Sequence, residues 1–329
     1  MNCSFSKSKD VEADEDALAA FSPPKLLDEV KEKVLSFVQL QLSRKRKVVV
    51  VTSGGTAVPL EHKTVRFIDN FSTGTRGSAA AEYFLQAGYA VIFIHRRKTL
   101  MPFRRHLDKN GSKVLTILDM FQLHPESDGS QTLRVDQTQI PQLSSVLTAY
   151  QSVKDQEMLL CIEFITLCDY LHYLKVAAEA IHPLGRSAMV FLAAAVADFY
   201  VPGYALPEHK IQSANGPPVI QLRQVPKMLG NVAQQWAEVA FVVSFKLETD
   251  HSLLVKKARE ALVKYKHQVV IANLLESRRT KLEVITVEDH CTLILSEKEL
   301  NQGGEVEEKL VADLIQRHNN FSDNLELKF

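Results

Sequence analysis

Val48-Val-Val-Val-Thr-Ser-Gly-Gly55 and the downstream run Phe71-Ser-Thr-Gly74-Thr-Arg-Gly77 are the strongest indication of the fold class in this chain. The first part is an apolar β-branched run that ends in glycine, which is typical of a buried parallel strand. The second part leads into an alanine-rich segment, 78–86, which we predict to be helical. Backbone N–H groups point outward at such a strand–turn–helix junction, and glycine lets an anion approach them. These patterns predict a nucleotide phosphate site, although two ordinary turns would use the same glycines.

Outward from this stretch, apolar runs alternate with helical patterns along most of the chain. We predict strands at 48–52, 90–95, 158–165, 189–195, 240–245 and 269–272. We predict helices at 26–44, 78–87, 169–181, 253–265 and 307–318. The alternation indicates an α/β fold with a Rossmann-like, doubly wound, mostly parallel sheet. Segments 282–287 and 292–295 look like a hairpin added late to that sheet.

Three segments fall outside the alternation. Residues 1–24 are acidic and end in two prolines, so we expect them to be disordered, before a single domain at 25–329. Within that domain, 97–157 resembles a long insertion with one or two helices. The proline-rich segment 200–228 directly follows a strand, where ligand-binding loops of α/β sheets lie. Surface decoration is the alternative for this last segment.

The composition excludes several classes of function. Lys+Arg and Asp+Glu both number 39, so no overall charge attracts nucleic acid or an anionic membrane. The 4 cysteines are scattered without a C-x-x-C pair, which suits reduced thiols in the cytosol. The N-terminus lacks the apolar core of a signal peptide, and the longest apolar run, 188–201, contains Asp198. We therefore expect a cytoplasmic protein with no nucleic-acid or membrane partner.

Two further groups of residues are candidates for chemistry. Ala193-Ala-Ala-Val-Ala-Asp198 places tiny residues at a strand end and a carboxylate just beyond, which favours a substrate pocket. An exposed aspartate beside a close helix–strand contact is the alternative. Lys210 and Lys246 can neutralise a polyphosphate, but most lysines are simply solvated. The sequence has neither a metal-ligand cluster nor a nucleophile elbow.

A reductase is a competing interpretation. Tyr150-Gln-Ser-Val-Lys154 fits the Y-x-x-x-K pattern of short-chain dehydrogenases, and Arg96-Arg97 follows a predicted strand where a 2′-phosphate of NADP would lie. The glycine fingerprint that such enzymes carry after their first strand is missing. Two fixed positions in five also match often by chance.

Six segments, taken in order, closely resemble the eukaryotic phosphopantothenate–cysteine ligase family, and the resemblance spans about residues 48–318. They are Val51-Thr-Ser-Gly-Gly-Thr56, Arg66-Phe-Ile-Asp-Asn-Phe-Ser-Thr-Gly74, Leu192-Ala-Ala-Ala-Val-Ala-Asp-Phe-Tyr200, Pro207-Glu-His-Lys-Ile-Gln-Ser213, Ser244-Phe-Lys-Leu-Glu-Thr-Asp250 and Ile271-Ala-Asn-Leu-Leu-Glu-Ser277. The resemblance implies ATP-dependent ligation of cysteine to 4′-phosphopantothenate through an acyl-adenylate. It also implies a homodimer. Mg²⁺ is expected with the nucleotide, and the short segment before the first strand implies an enzyme without flavin.

The resemblance also implies roles for individual residues. Asn70 corresponds to the asparagine that contacts the acyl intermediate, and Lys210 to a lysine of the activation step. Arg66 corresponds to an arginine that reaches across a dimer interface to the substrate phosphate. The implied nucleotide-binding residues are Gly54, Ser72, Gly74, Gly77, Phe245 and Asn273. The implied phosphopantothenate pocket consists of Ala194, Ala195 and Asp198. Lys246 is our own addition to the nucleotide site.

One departure from the family limits what can be carried over. The bacterial Lys-x-Lys-Lys run reads Lys210-Ile-Gln-Ser213 here, so two of its lysines are missing. The bacterial preference for CTP therefore does not transfer to this chain. A non-catalytic relative that keeps the fold is the remaining alternative, although Asn70, Lys210 and the glycines are all present.

Overall fold

A computed structural model of the chain describes residues 18–108, 120–136, 138 and 141–323. Its central element is an eight-stranded, mostly parallel sheet with helices on both faces, so the predicted α/β fold class is confirmed. Within the described ranges, no helix is both long enough and apolar enough to cross a bilayer.

The bounds of the elements follow the chain in order. The strands are β1 (Val48–Ser53), β2 (Ala57–Pro59), β3 (Phe67–Asp69), β4 (Ala90–Arg96), β5 (Phe121–Pro125), β6 (Gln131–Val135), β7 (Leu159–Phe164), β8 (Ala188–Leu192), β9 (Phe199–Tyr200), β10 (Arg223–Gln224), β11 (Phe241–Glu248), β12 (Val269–Leu274), β13 (Lys281–Ile285) and β14 (His290–Ile294). The helices are α1 (Leu27–Ser43), α2 (Thr75–Gln86), α3 (Arg105–Asp108), α4 (Leu143–Asp155), α5 (Leu167–Ala180), α6 (Leu229–Asn231), α7 (His251–Tyr265), α8 (Glu297–Asn301) and α9 (Val306–Asp323).

The strand order of the sheet is β14-β13-β12-β11-β8-β1-β4-β7. Six neighbouring strands of this sheet, β7, β4, β1, β8, β11 and β12, are parallel to one another. Their order corresponds to the 3-2-1-4-5-6 order of a Rossmann sheet. β13 and β14 add the expected late hairpin in antiparallel fashion. The order reverses between β1 and β8, and the crevice at that point positions the candidate site.

Alternate residues of β1 enter two different cores. Val49 and Val51 pack with α2 and α9 on one face, whereas Val48 and Val50 pack with α1 and α5 on the other. All four valines are fully buried. A strand that is buried on both faces explains the unbroken valine run from which the fold was predicted.

Two observed boundaries change the interpretation of the site. Helix α2 begins at Thr75 rather than at residue 78, so Gly77 lies inside the helix and Gly74 is its left-handed N-cap. Strand β8 ends at Leu192 rather than at residue 195, because the chain then leaves the sheet to run beside the loop after β1.

The predicted insertion at 97–157 contains both α3 and α4, and residues 109–119 lie outside the described ranges. Val153 of α4 is buried in the core, and α4 is the crossover helix that the parallel strands β4 and β7 require. The hairpin of β5 and β6 was not predicted. Its Ser/Thr/Gln-rich surroundings obscured the short alternation of polar and apolar residues.

Part of the segment expected to be disordered is placed against the core. Phe21 is buried, and its ring centroid lies 4.8 Å from that of Tyr200. The Sγ of Cys168 donates to the Ser22 carbonyl at 2.6 Å. This buried aromatic anchor explains why residues 18–24 depart from the expectation, and residues 1–17 lie outside the described part of the chain.

A buried ionic network fixes the segment after β4 against α2. Arg105, whose side chain is 2% exposed, donates to Glu82 at 2.6 Å and to Glu305 at 2.7 Å. Burial alone would raise the pKa of Glu82, but hydrogen bonds from His106 and Arg105 lower it below its usual range. A buried charge without such partners would be strongly destabilising. The network therefore holds three segments in one arrangement: the segment after β4, helix α2, and the start of α9 beside Glu305.

Two buried histidines predict an acid limit to stability. Burial lowers the pKa of both His267 and His318 from 6.5 to about 4. The unfolded chain therefore binds more protons than the folded chain between these values, and the free energy of unfolding should fall as pH drops from 6.5 to 4. Each shift is worth at most about 3 kcal/mol. Urea unfolding at several pH values measures this loss.

A neutral replacement isolates one of the two histidines. His267→Gln should flatten the pH dependence, because glutamine does not titrate. Glutamine also keeps a hydrogen-bond partner for Ser244, whose Oγ lies 2.7 Å from His267 Nε2. His209→Gln, at an exposed position, is the matched control. An identical pH dependence in His267→Gln and in the wild type would contradict the assignment.

Candidate active site

The candidate site lies at the carboxyl ends of β1 and β8, where the strand order of the sheet reverses. The loops that follow two such strands leave towards opposite faces of the sheet, which opens a crevice for ligands. The predicted glycine loop follows β1, and the predicted alanine run follows β8. The fold therefore brings two of the predicted segments to one place.

Backbone hydrogen bonds join these two segments directly. Ala195 N–H donates to the Gly54 carbonyl at 2.8 Å, and Thr56 N–H donates to the Ala195 carbonyl at 3.1 Å. The hydroxyl of Thr52 accepts from Ala194 N–H at 3.1 Å. Small residues are needed here because two backbones are in contact, and the alanines also leave room above them. Gly54, Ala194 and Ala195 are thus neighbours, as the sequence predicted for one site.

Asn70 lies against the same loop. Its N–H donates to the Thr56 carbonyl at 3.2 Å, which continues the antiparallel pairing of β2 with β3. A Cβ on Gly55 would lie only 1.7 Å from the carbonyl oxygen of Asn70. Gly55 is therefore required for close approach, a role that the sequence alone did not indicate. The pairing presents half-buried Asn70 at the mouth of the crevice.

The second glycine turn lies beside the first. Ser53 Oγ donates to the Gly74 carbonyl at 3.1 Å, and Gly74 N–H points to Ser72 Oγ at 3.4 Å. Gly74 has a φ of 79° and caps α2 without a side-chain hydrogen bond to the first turn. The first N–H groups of a helix without such a cap are available to an anion. Ser72 and Gly74 thus lie at the N-terminus of α2, and their binding of a phosphate stays a prediction.

Gly77 has a packing role. A Cβ at this position would lie 2.5 Å from both Cβ and Oγ of Ser53. Its missing side chain lets α2 approach β1 closely, as the third glycine of a dinucleotide fingerprint does. The close approach brings the N-terminus of α2 to the crevice.

Arg76 was missed by the sequence analysis, although it lies between the two glycines that were chosen. Its guanidinium donates to Glu307 at 3.0 Å and to the Arg278 carbonyl at 2.6 Å. It also lies 5.7 Å from the centroid of Phe245. The same ring forms a T-shaped contact with Phe191, at 4.9 Å between centroids. Phe245, a predicted base or ribose contact, is therefore held next to the N-terminus of α2.

The two remaining nucleotide candidates differ in position. Asn273 is buried near the carboxyl end of β12, where it pairs in register with Leu247 of β11. Lys246 points to the opposite face of β11 from Phe245, where its ammonium lies 3.5 Å from Glu248. Lys257 of α7 donates to the same carboxylate at 2.9 Å. The structure thus places Lys246 away from the glycine turn.

Arg66 connects the β2–β3 hairpin to the loop that carries Lys210. Its guanidinium donates to the buried carboxylate of Glu61 at 3.0 Å and to the Ile211 carbonyl at 2.7 Å. Burial alone would raise the pKa of Glu61, but hydrogen bonds from Arg66, Val65 and Ile211 lower it. Two further backbone hydrogen bonds join this hairpin to the loop. The exposed Lys210 is therefore held near the hairpin that presents Asn70.

Asp198 has a partner that the sequence analysis did not choose. Its carboxylate pairs with Lys227, and its carbonyl accepts from Val225 N–H at 2.8 Å. The short pairing of β9 with β10 brings these distant residues together. Segment 200–228 was chosen for its lysines, but only tertiary pairing shows which lysine reaches Asp198.

The residues of the competing reductase interpretation serve other contacts. Arg96 donates to the Gly55 carbonyl and to Asp69, and Arg97 pairs with Glu163 at 2.6 Å. Tyr150 of α4 forms a T-shaped contact with Phe103, which precedes α3. Neither arginine is therefore presented to a cofactor.

Comparison with known proteins distinguishes the ligase interpretation from the reductase interpretation. The family model described as DNA/pantothenate metabolism flavoprotein C-terminal domain matches residues 44–174 and 172–318. The phosphopantothenate–cysteine ligase of Homo sapiens is 44% identical over 310 residues, which cover 94% of this chain and 98% of the human one. This chain belongs to the phosphopantothenate–cysteine ligase family.

Other members of the phosphopantothenate–cysteine ligase family agree with this assignment. Phosphopantothenate–cysteine ligase 2 of Oryza sativa subsp. japonica is 45% identical over 271 residues, covering 82% of this chain and 80% of the rice chain. The solved structure of a Cab2 mutant in complex with phosphopantothenate-cysteine matches with a TM-score of 0.83 and 37% identity. That match covers 94% of this chain and 98% of the Cab2 chain. The reductase interpretation is not favoured.

The described residues contain no group of three or more His, Cys, Asp or Glu side chains placed to hold a metal ion. A family member that works on a nucleotide can still receive its metal with the substrate, since Mg²⁺ is commonly held by substrate phosphates and one or two carboxylates.

Proposed function

We propose that this chain joins cysteine to 4′-phosphopantothenate with ATP, through an acyl-adenylate. One observation carries the proposal: Asn70, the glycine loop after β1 and the alanine run after β8 meet beside the N-terminus of α2. A carboxylate and a nucleotide α-phosphate can be held together at that point. The curated relatives of the chain are named for this ligation, and this supports the proposal.

In the first proposed step, the substrate carboxylate attacks the α-phosphate of ATP and pyrophosphate leaves. The backbone N–H groups of the first turn of α2, with Ser72 and Gly74, would hold the phosphates. Phe245 and Asn273 would contact the base or ribose, and Lys210 would offset the charge that develops on pyrophosphate. Activation of this kind needs positioning and charge neutralisation rather than a protein nucleophile.

In the second proposed step, the amine of cysteine attacks the acyl carbon and AMP leaves as the amide forms. The Asn70 side chain is neutral, so it can donate to the developing oxyanion without attacking the mixed anhydride. Ala194 and Ala195 would leave room for the pantothenate chain, and Asp198 would accept from its hydroxyl or amide groups. Lys227 pairs with the same carboxylate, so its ammonium would also lie near the bound substrate.

Cofactor requirements follow from these two steps. Neither step transfers electrons, so no flavin enters the proposed reaction. Mg²⁺ would accompany ATP and neutralise charge on its phosphates. All three substrates are small and water-soluble, which is consistent with the proposed cytoplasmic location.

The proposed assembly is a homodimer through the surface that carries Arg66. Large apolar side chains are exposed there on neighbouring segments of the hairpin and the 199–222 region: Val65, Phe67, Ile68, Phe71, Phe199, Tyr204 and Val219. Backbone hydrogen bonds between residues 62–63 and 207–208 make these segments one surface. An exposed apolar surface of this kind is typical of an interface, and we propose a second copy as its partner.

Arg66→Ala is expected to weaken phosphopantothenate binding by about 10- to 100-fold in KM, while the KM for ATP changes little. The guanidinium would contact the substrate phosphate, and it also holds the Lys210 loop through Ile211. Steady-state kinetics with each substrate varied in turn measure this difference. An unchanged KM for phosphopantothenate would remove Arg66 from the substrate site.

Mixed dimers decide whether Arg66 acts on the partner's site. When Arg66→Ala and Asn70→Asp subunits are mixed in equal amounts, a shared site would be intact once in every mixed dimer. At phosphopantothenate concentrations well below the KM of Arg66→Ala, we expect about a quarter of wild-type activity to return, because half of the dimers are mixed and one of their two sites works. No recovery from proven mixed dimers would mean that Arg66 acts within its own chain.

The proposed reaction is tested by incubating the protein with Mg²⁺, 4′-phosphopantothenate and cysteine, with ATP or CTP in separate reactions. The amide product, pyrophosphate and the nucleoside monophosphate are measured together. Amide with equal amounts of AMP and pyrophosphate is the expected result. ADP and phosphate would replace the acyl-adenylate with an acyl phosphate. No product with either nucleotide, from folded protein, would favour the non-catalytic relative.

A further inference from the structure

Arg96 ends strand β4 directly behind the proposed active site. Its Nη1 donates to the Gly55 carbonyl at 2.8 Å and to Asp69 Oδ1 at 2.7 Å. The arginine side chain is 12% exposed, and its guanidinium lies 5.6 Å from the centroid of Phe67. One nitrogen thus joins the loop after β1 to the strand that leads into Asn70.

We propose that Arg96 is the positioning residue of the active site, which holds Asn70 at the acyl intermediate by tying Asp69 to the Gly55 carbonyl. The proposal rests on the ligation proposed above, because Asn70 is the group that is positioned. Arg96 acts through these two neighbours and does not itself touch substrate.

Asn70 depends on contacts on both of its sides. Asp69 precedes it in the chain, and Asn70 N–H bonds to the carbonyl of Thr56, the residue after Gly55. Arg96 bonds at once to Asp69 and to the carbonyl of Gly55, which directly precedes Thr56. Movement of either segment would therefore carry Asn70 away from the alanine run that follows β8.

The hairpin that carries Asn70 needs such a restraint. Its strands β2 and β3 have only three residues each, and Phe67 and Ile68 on β3 are exposed. An isolated two-stranded hairpin is only marginally stable in water. A charge-assisted hydrogen bond from a nearly buried arginine is stronger than a neutral one, so Arg96 can hold the open end of the hairpin.

Close packing against Gly54 fixes the position of the Arg96 Cβ. A Cβ on Gly54 would lie 2.6 Å from the Cβ of Arg96. The end of β4 therefore touches the loop after β1, and the side chain extends from a fixed origin. A shorter lysine at this position keeps the charge but reaches less far, so it should restore only part of the restraint.

The neighbouring arginine provides a matched control. Arg97 has the same charge and follows Arg96 in the chain, but its side chain is 55% exposed and pairs with Glu163 on β7. Arg97→Gln should leave the hairpin and the reaction unchanged, because exposed ion pairs contribute little.

Hydrogen–deuterium exchange tests the restraint without reference to activity. In Arg96→Gln, exchange in peptides covering 66–74 should become about 10- to 100-fold faster, because the hydrogen bonds that tie Asp69 to the Gly55 carbonyl are lost. Arg96→Lys and Asp69→Asn should show smaller increases, and Arg97→Gln none. Unchanged exchange in Arg96→Gln would overturn the proposal, and so would faster exchange throughout the protein.

Kinetics then test the link to catalysis. We expect kcat of Arg96→Gln to fall about 100-fold while the KM for ATP stays within about threefold, since misplacement of a reacting group by about 1 Å costs this much. Arg96→Lys should recover part of kcat. A wild-type kcat in Arg96→Gln, or a loss explained by a lower melting temperature alone, would overturn the positioning role.

The two sets of measurements separate this proposal from the proposed ligation. If the wild-type protein makes no amide, the proposed function fails, and the exchange experiment still decides whether Arg96 restrains the hairpin. If the wild type ligates normally and Arg96→Gln exchanges as the wild type does, only the positioning role fails.

Discussion

Asn70→Asp is expected to abolish ligation while the protein stays folded. The two side chains have nearly the same shape, so the pairing of residue 70 with Thr56 should survive. The new carboxylate would face an acyl-adenylate and a developing oxyanion, both of which repel negative charge. Loss of one oxyanion donor costs about 10²- to 10³-fold in kcat, and a like charge at the same place should cost more.

The measurement for Asn70→Asp is the rate of AMP and amide formation, with melting temperature as the test of folding. Asn301→Asp, at an exposed position on α8, adds the same charge away from the site and is the matched control. Pyrophosphate exchange into ATP in the absence of cysteine shows which step is lost. Ligation at the wild-type rate by Asn70→Asp would remove Asn70 from the mechanism.

Gly77→Ala is expected to displace α2 and to lower both stability and nucleotide affinity. The new methyl group would lie 2.5 Å from Cβ and Oγ of Ser53, on the fully buried strand β1. A rotation of the Ser53 side chain cannot relieve the contact with its Cβ. Overpacking of this kind costs about 1–3 kcal/mol, which exceeds the gain of up to about 1 kcal/mol from a helical alanine.

A second substitution tests the cause of this loss. Ser53→Gly removes both of the atoms that the methyl group would meet within 3 Å, so the Gly77→Ala/Ser53→Gly double variant should be more stable than the two single changes predict. Gly203→Ala is the matched control, because open space surrounds that position. Melting temperatures and the KM for ATP measure the effects. Additive changes in stability, or a Gly77→Ala variant as stable as the wild type, would contradict the packing role.

The sequence predicted the fold class because its strongest signals are local. Four valines followed by two glycines indicate a strand buried on both faces, and the later alternation repeats that signal. The strands that the sequence left unassigned form three short two-stranded pairs outside the main sheet, β2–β3, β5–β6 and β9–β10. Their few residues carry too little periodicity to be recognised.

The sequence also singled out segments that the structure brings together, because glycine and alanine mark places where backbones or ligands come close. It placed Gly54, Asn70, Ala194 and Ala195 in separate segments, and the structure makes them neighbours. It did not distinguish the reasons for the glycines. Gly55 makes room for the Asn70 carbonyl, and Gly77 makes room for Ser53.

The order of amino acids thus indicates the alternation of strands and helices and the residue types that suit a nucleotide. Which charges meet follows from the three-dimensional packing: Arg96 with Asp69, Arg76 with Glu307, Arg66 with Glu61, and Asp198 with Lys227. Local propensity acts over a few residues, whereas these pairs lie between 5 and 231 residues apart in the chain. A long flexible side chain carries no signal of its partner, because its contact is set by how the strands and loops around it pack.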